Sequence, residues 1–155
     1  MHAKPQKTEN TLHKAHEICT RSGQKLTPKR AAILTVLIES RQPLSAYEVV
    51  ANYNQTQSHP IQPMSAYRIL NFLQSEKLVH KLETQNKYIA CAHINCSHPH
   101  SIPHFLVCRQ CQQVQEIHIP EHIVDELSRH ARHSGFTLDQ SQIELDGLCD
   151  KCRDQ

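Results

Sequence analysis

The chain of 155 residues contains no tryptophan, only three phenylalanines and four tyrosines, and no apolar run long enough to cross a bilayer. Large aromatic side chains bury more area than any others. Without them a chain of this length is poorly supplied with core volume, above all if it divides into two small domains. The missing apolar run predicts no membrane partner. The opening residues, MHAKPQKTENTLHK, are polar and charged with no apolar stretch of signal-peptide length, which predicts a cytoplasmic protein. Thiols stay reduced in that compartment, so paired cysteines read as metal ligands rather than disulfides. No internal repeat or low-complexity tract stands out apart from the His/Cys-rich stretch between Cys91 and His104.

Against these shortages stand seven cysteines and thirteen histidines. A bound metal can replace the core volume that aromatic residues would otherwise fill. The net charge of +2 conceals an asymmetry: residues 1–90 carry twelve Lys/Arg against six Glu, a net +6, and residues 91–155 carry five Lys/Arg against nine Asp/Glu, a net −4. A basic half suited to a polyanion and an acidic half with another task predict two domains, 1–90 and 91–155.

In the first half, Leu12, Ala15, Ile18 and Cys19 recur at helical spacing over residues 10–22, ahead of Gly23. Thr27-Pro28 is an N-cap followed by proline at the first helical position, leading into Ile33, Leu34, Leu37 and Ile38. Ser45 and Glu48 form a capping box that opens a third helix running to about Tyr53. After Pro63, a fourth helix places Ala66, Ile69, Leu70 and Leu73 on one face and leaves a polar stripe of Ser65, Arg68 and Asn71. Leu78–Glu83 and Lys87–Ala90 flank Thr84-Gln85-Asn86 as a β-hairpin. Helices followed by a basic hairpin predict a winged helix-turn-helix, whose second helix of the pair enters the major groove while flanking elements hold phosphates. A small helical domain with one wet face fits the same pattern.

The second half predicts an α+β module: strands at 104–108 and 114–118, a helix from Pro120 to about His133 with Ile123, Val124, Leu127 and Ala131 inward and Gly135 closing it, and a strand at 141–145. Cys108-x-x-Cys111 and Cys149-x-x-Cys152 bracket it. Two intervening residues let both thiolates of a pair reach one ion, and two pairs complete the tetrahedral sulfur shell of a structural zinc. A redox pair is the competing reading. A second constellation comprises His80, Cys91, His93, Cys96, His98, His100, His104 and Glu116. Mixed nitrogen, sulfur and oxygen donors suit zinc, and a thiolate disfavours the harder iron(II) and manganese(II). These residues run from the hairpin of the basic half to a strand of the acidic half, where an ion can control the orientation of one against the other. Such a set could also activate water, but the His-Glu-x-x-His helix of zinc proteases and the paired motifs of zinc deaminases are both absent, so no enzymatic activity is expected. A metal-storage role leaves the basic half without a purpose.

With these residues assembled, the chain resembles the ferric uptake regulator family, most closely its zinc uptake regulator branch, through Leu26-Thr-Pro-Lys-Arg30, Ser45-Ala-Tyr47, Tyr67-Arg68, Leu78-Val-His-Lys81, Cys108-x-x-Cys111 and Gly147-Leu-Cys-Asp-Lys-Cys152. The resemblance implies a homodimer, an N-terminal winged helix, a C-terminal dimerisation domain with a Cys₄ structural zinc, and an interdomain sensor site: two zinc ions per subunit. It places sensor ligands at His80, Cys91 and Glu116, the last eight positions after Cys108. An apparent insertion between Cys91 and Cys108 leaves His100 as the best match for the fourth ligand, with His98 and His104 as rivals. The His-His-Asp-His run of the iron branch is missing, and Phe105 stands where that branch places a ligand. Tyr47 and Arg68 match base-contacting positions, and Ser65, Tyr67, Asn71 and the wing residue Lys81 join them as DNA-binding candidates. The expected function is zinc-dependent repression of zinc-uptake genes through operator double-stranded DNA; sensing of iron(II), manganese(II) or peroxide on the same fold is the nearest rival.

Overall fold

The computed structural model describes residues 4–40, 42–96, 102–139 and 142–154, with side chains from residue 6 onward. The chain divides into two compact units, Met1–Ser97 and His98–Gln155.

The first unit holds four helices, α1 (Lys4–Arg21), α2 (Pro28–Ser40), α3 (Ala46–Thr56) and α4 (Pro63–Ser75), and a hairpin of β1 (Val79–Leu82) and β2 (Lys87–Ala90). α1 starts six residues before the apolar spacing that announces it. It ends on Gly23, whose φ of 76° is the left-handed conformation that glycine adopts without a Cβ clash. Thr27 starts α2, its carbonyl accepting from the Ala31 amide at 2.9 Å. The capping box on α3 is complete: Ser45 Oγ accepts from the Glu48 amide at 3.2 Å, and the Glu48 carboxylate accepts from the Ser45 amide at 2.7 Å. Between α3 and α4, the Asn54 side chain accepts from the Ile61 amide at 2.8 Å and donates to the Ile61 carbonyl at 3.3 Å, tying down the connection that sets the angle of the pair. Ala15, Ile33, Leu34, Leu37, Val49, Leu70 and Leu73 form one core with Leu78 and Val79 of the hairpin. The hairpin is antiparallel, with Val79 opposite Ala90 and Lys81 opposite Tyr88. Leu44 adds a bridge to its outer side through reciprocal bonds with Tyr88 at 2.9 and 2.7 Å. This is a winged helix-turn-helix. The unit continues past the wing: Cys91 and Ile94 are buried in the same core, and Asn95 donates to Thr11 Oγ1 of α1 at 2.9 Å.

The second unit holds β3 (His104–Cys108), β4 (Val114–Ile117), α5 (Glu121–His133), β5 (Ile143–Gly147) and a short α6 (Asp150–Arg153). Its sheet runs β4-β3-β5, with β3 antiparallel to β4 and parallel to β5 across the α5 crossover. A parallel neighbour needs such a connection, and the helix supplies it. Phe105 and Val107 are the buried side chains of one face of β3. Of the four positions expected inward on α5 only Val124 is buried: Ala131 is half-buried, Ile123 is 49% and Leu127 48% exposed, and Ser128, not among the four, is buried. The apolar stripe is wider than the part of it that its own unit covers. The first residue of the strand expected at 141–145 lies outside the described residues, and β5 runs from Ile143 to Gly147.

Candidate metal centres and nucleic-acid surface

In the second unit the four sulfurs of Cys108, Cys111, Cys149 and Cys152 lie within 4.8 Å of one another. Two backbone devices bring them together. After β3 the chain turns back at Gln112, whose φ is 62° and whose amide donates to the Cys108 carbonyl at 3.0 Å. After β5, Gly147 accepts from the Arg109 amide at 2.9 Å, locking the second turn to the first. The parallel register of Cys108 with Gly147 therefore delivers Cys149 to Cys108. The Cys149 amide donates to Cys108 Sγ at 3.4 Å, and the sulfurs of Cys111 and Cys149 are 3.7 Å apart. Hydrogen bonds from the Cys111 and Cys149 amides lower the pKa of Cys108 to about 6. Burial and the neighbouring thiols push Cys152 up to about 12. Four converging sulfurs match the four-thiolate shell of a divalent ion. The donor chemistry fits zinc. The turn at Gln112 and the short helix α6, both needed to aim the thiols, leave no periodic signal in the sequence.

In the first unit His80 lies on β1 and Cys91 just beyond β2, and their ligand atoms approach within 4.8 Å. The hairpin register explains this: His80 is opposite Ile89, and Cys91, two residues further along the same chain, lies diagonally across from His80 on the same face. The His93 amide donates to Cys91 Sγ at 3.4 Å, and the Cys91 amide is held by the Leu78 carbonyl at 2.9 Å. A nitrogen donor beside a sulfur donor suits zinc. Glu116 lies on β4 of the second unit, opposite Phe105. Of the three histidines offered as a fourth ligand, His98 and His100 lie outside the described residues. His104 is 2% exposed on β3, its Nε2 has no hydrogen-bond partner, and burial with the nearby His118 lowers its pKa.

The helix-turn-helix presents its polar side as expected. Ser65, Arg68 and Asn71 are exposed on α4, and Tyr47 is 66% exposed at the start of α3. Tyr67 differs: it is half-buried and packs against the core. Lys81 is half-buried on the wing, with its ammonium 3.5 Å from the Glu83 carboxylate. Arg30 supports the arrangement from behind, its guanidinium 3.4 Å from the centre of the Phe72 ring of α4.

The sequence model of the Ferric uptake regulator family matches residues 21–146. The Zinc uptake regulation protein of Escherichia coli strain K12 is 31% identical over 145 residues, covering 94% of this chain and 82% of that protein. The Peroxide operon regulator of Bacillus subtilis strain 168 is 25% identical over 142 residues, covering 91% of this chain and 92% of its own. Among solved structures, a zinc uptake regulator complexed with zinc and DNA superposes with a TM-score of 0.81 at 29% identity, covering 95% of each chain. The holo form of the zinc uptake regulator XcZur superposes at 0.77 with 32% identity, covering 94% of this chain and 99% of that one. No described helix is long and apolar enough to cross a membrane.

Proposed function

Because the chain belongs to the ferric uptake regulator family, we propose that it is a zinc-responsive repressor of zinc-uptake genes that binds operator DNA as a homodimer. The single observation that carries the choice of signal is the sulfur donor of Cys91 within 4.8 Å of the His80 ligand atom. That pairing suits zinc better than iron(II) or manganese(II). Glu116 is the third sensor ligand, with the fourth from His100 or, in its place, His98 or His104. Cys108, Cys111, Cys149 and Cys152 hold a separate structural ion, giving two zinc ions per subunit. The family's members are DNA-binding regulators, and no catalytic role is assigned to this chain.

Bound at the sensor ligands, zinc supplies a divalent charge and a preference for tetrahedral donors. The rest falls to the chain. Ligands drawn from both units restrict the orientations open to the winged helix, so that two copies of α4 meet successive major-groove faces of one operator. Each tenfold preference of the ion for the DNA-competent state contributes about 1.4 kcal/mol, and two sensor sites per dimer multiply the effect. Arg68 and Tyr47 reach base edges, while Lys81 on the wing meets phosphate. Ile123 and Leu127, left exposed by their own unit, provide the apolar surface for the subunit contact.

The test is DNA binding by the protein that retains only its structural zinc, after addition of zinc, iron(II) or manganese(II) at matched free concentrations. Zinc should restore specific binding at the lowest concentration. Restoration by iron(II) at a lower concentration than zinc would transfer the signal to iron, and with it the peroxide-sensing reading.

A further inference from the structure

Among the described residues of the first unit, two large apolar side chains are exposed: Tyr47, and Met64 at 65%. Every other exposed large apolar side chain among the described residues belongs to the second unit. Tyr47 and Met64 both lie in the first turn of a helix, Tyr47 in α3 and Met64 in α4. On α4, Met64 is in line with Arg68 and Asn71, at i, i+4 and i+7, on the side opposite the buried Ala66, Leu70 and Leu73. Helix formation does not call for a methionine there. Pro63 already occupies the first helical position, and a first turn favours acidic side chains, of which α4 has none. Folding of this unit therefore leaves Met64 unexplained, and its position assigns it to whatever Arg68 and Asn71 meet.

Resting on the reading of α4 as the recognition helix, we propose that Met64 packs against the C5-methyl of a thymine in the major groove, making the protein select thymine at one position of each half-site beside the base pair that Arg68 reads. The thymine methyl is the one apolar feature that a base pair displays in that groove. An unbranched, polarizable thioether adapts to such a surface better than a branched side chain. The absence of an acidic residue from the same turn spares the phosphates a repulsion.

The experiment uses the full-length zinc-loaded protein and a duplex it selects from a random-sequence pool, with each thymine replaced singly by deoxyuridine, which removes only the methyl. Wild type should lose about threefold to fivefold in affinity at one thymine of each half-site, the size expected for one buried methyl. Met64→Ala should bind the thymine duplex more weakly by a similar factor and lose nothing further on the deoxyuridine duplex, while Met64→Leu keeps most of the discrimination. Unchanged circular dichroism and dimer mass confirm that both variants are folded. A flat deoxyuridine scan, or a Met64→Ala protein that keeps the full wild-type penalty, overturns the assignment even where Arg68→Ala relaxes base preference as expected. Failure of the recognition-helix reading looks different: no sequence is enriched from the pool, or Arg68→Ala leaves preference intact, and either result removes this assignment as well.

Discussion

The backbone amide of Cys149 donates to Cys108 Sγ at 3.4 Å, joining residues 41 positions apart. This contact depends on the parallel register of β3 and β5, and it stabilises a thiolate where four sulfurs converge. The clasp formed by Cys108, Cys111, Cys149 and Cys152 and the small sheet are therefore one structure. Cys149→Ser should lose the structural zinc, unfold the second unit and yield no stable dimer, because metal binding is there coupled to the folding of an undersized core. Zinc content by elemental analysis and mass by sedimentation check it; a serine variant that kept one tightly held zinc and its dimer would refute the clasp.

Arg68 and Lys81 should fail in different ways. Arg68→Ala is expected to cost about 1–3 kcal/mol and to relax base preference at one position. Lys81→Ala should weaken all duplexes alike and lower the salt slope by about one. Because Glu83 holds the Lys81 ammonium at 3.5 Å, Glu83→Gln should strengthen binding to any duplex. Fluorescence anisotropy over a salt series separates the three variants, and equal losses by Arg68→Ala on specific and random DNA would contradict the assignment of α4.

Ile123 and Leu127 predict where the subunits meet. Replacing Leu127 with Glu adds a charge to an apolar surface that the fold itself leaves open, so the protein should remain folded with its structural zinc but sediment as a monomer. A dimer of unchanged stability would place the interface elsewhere.

The α3 cap gives a local test. Ser45→Ala should destabilise the first unit by about 1 kcal/mol. The Glu48 carboxyl is held below its ordinary pKa, chiefly by the Ser45 amide it accepts from. A depressed folded pKa contributes stability that is present above the unfolded value of 4.5 and lost as pH falls through the folded one. Glu48→Gln should therefore flatten this acid-side dependence, as read by urea denaturation between pH 6 and 3, a window of roughly the ordinary carboxyl range.

Much of this was legible because short-range chemistry marks it. Ser45 with Glu48, and Thr27 with Pro28, announce helix starts, and Gly23 and Gly135 announce stops through φ values that only glycine adopts freely. Other features depend on what lies across space. The first turns of α1, from Lys4, carry no apolar periodicity, so nothing in the pattern distinguishes them from a polar lead-in. The apolar stripe of α5 is plain, but which half its own unit covers is not, and Ile123 and Leu127 were expected inward on that account. The stretch after the wing reads as metal ligands because of its histidines and cysteines; that Cys91 and Ile94 also serve the winged-helix core follows only from the packing. For the candidate metal sites, the spacing of Cys108-x-x-Cys111 and Cys149-x-x-Cys152 names the four sulfurs that converge, whereas the left-handed Gln112 that aims them is invisible.

Zinc at the sensor ligands, separate from zinc at the clasp, should be what switches DNA binding. The direct measurement is operator affinity as a function of buffered free zinc for wild type and Cys91→Ser, with zinc content and dimer mass recorded on the same samples. Wild type should pass from weak to tight binding over a narrow zinc range, and Cys91→Ser should remain a folded dimer with clasp zinc that does not bind the operator at concentrations saturating the wild type. A Cys91→Ser protein that binds the operator with the wild-type zinc response would contradict the account.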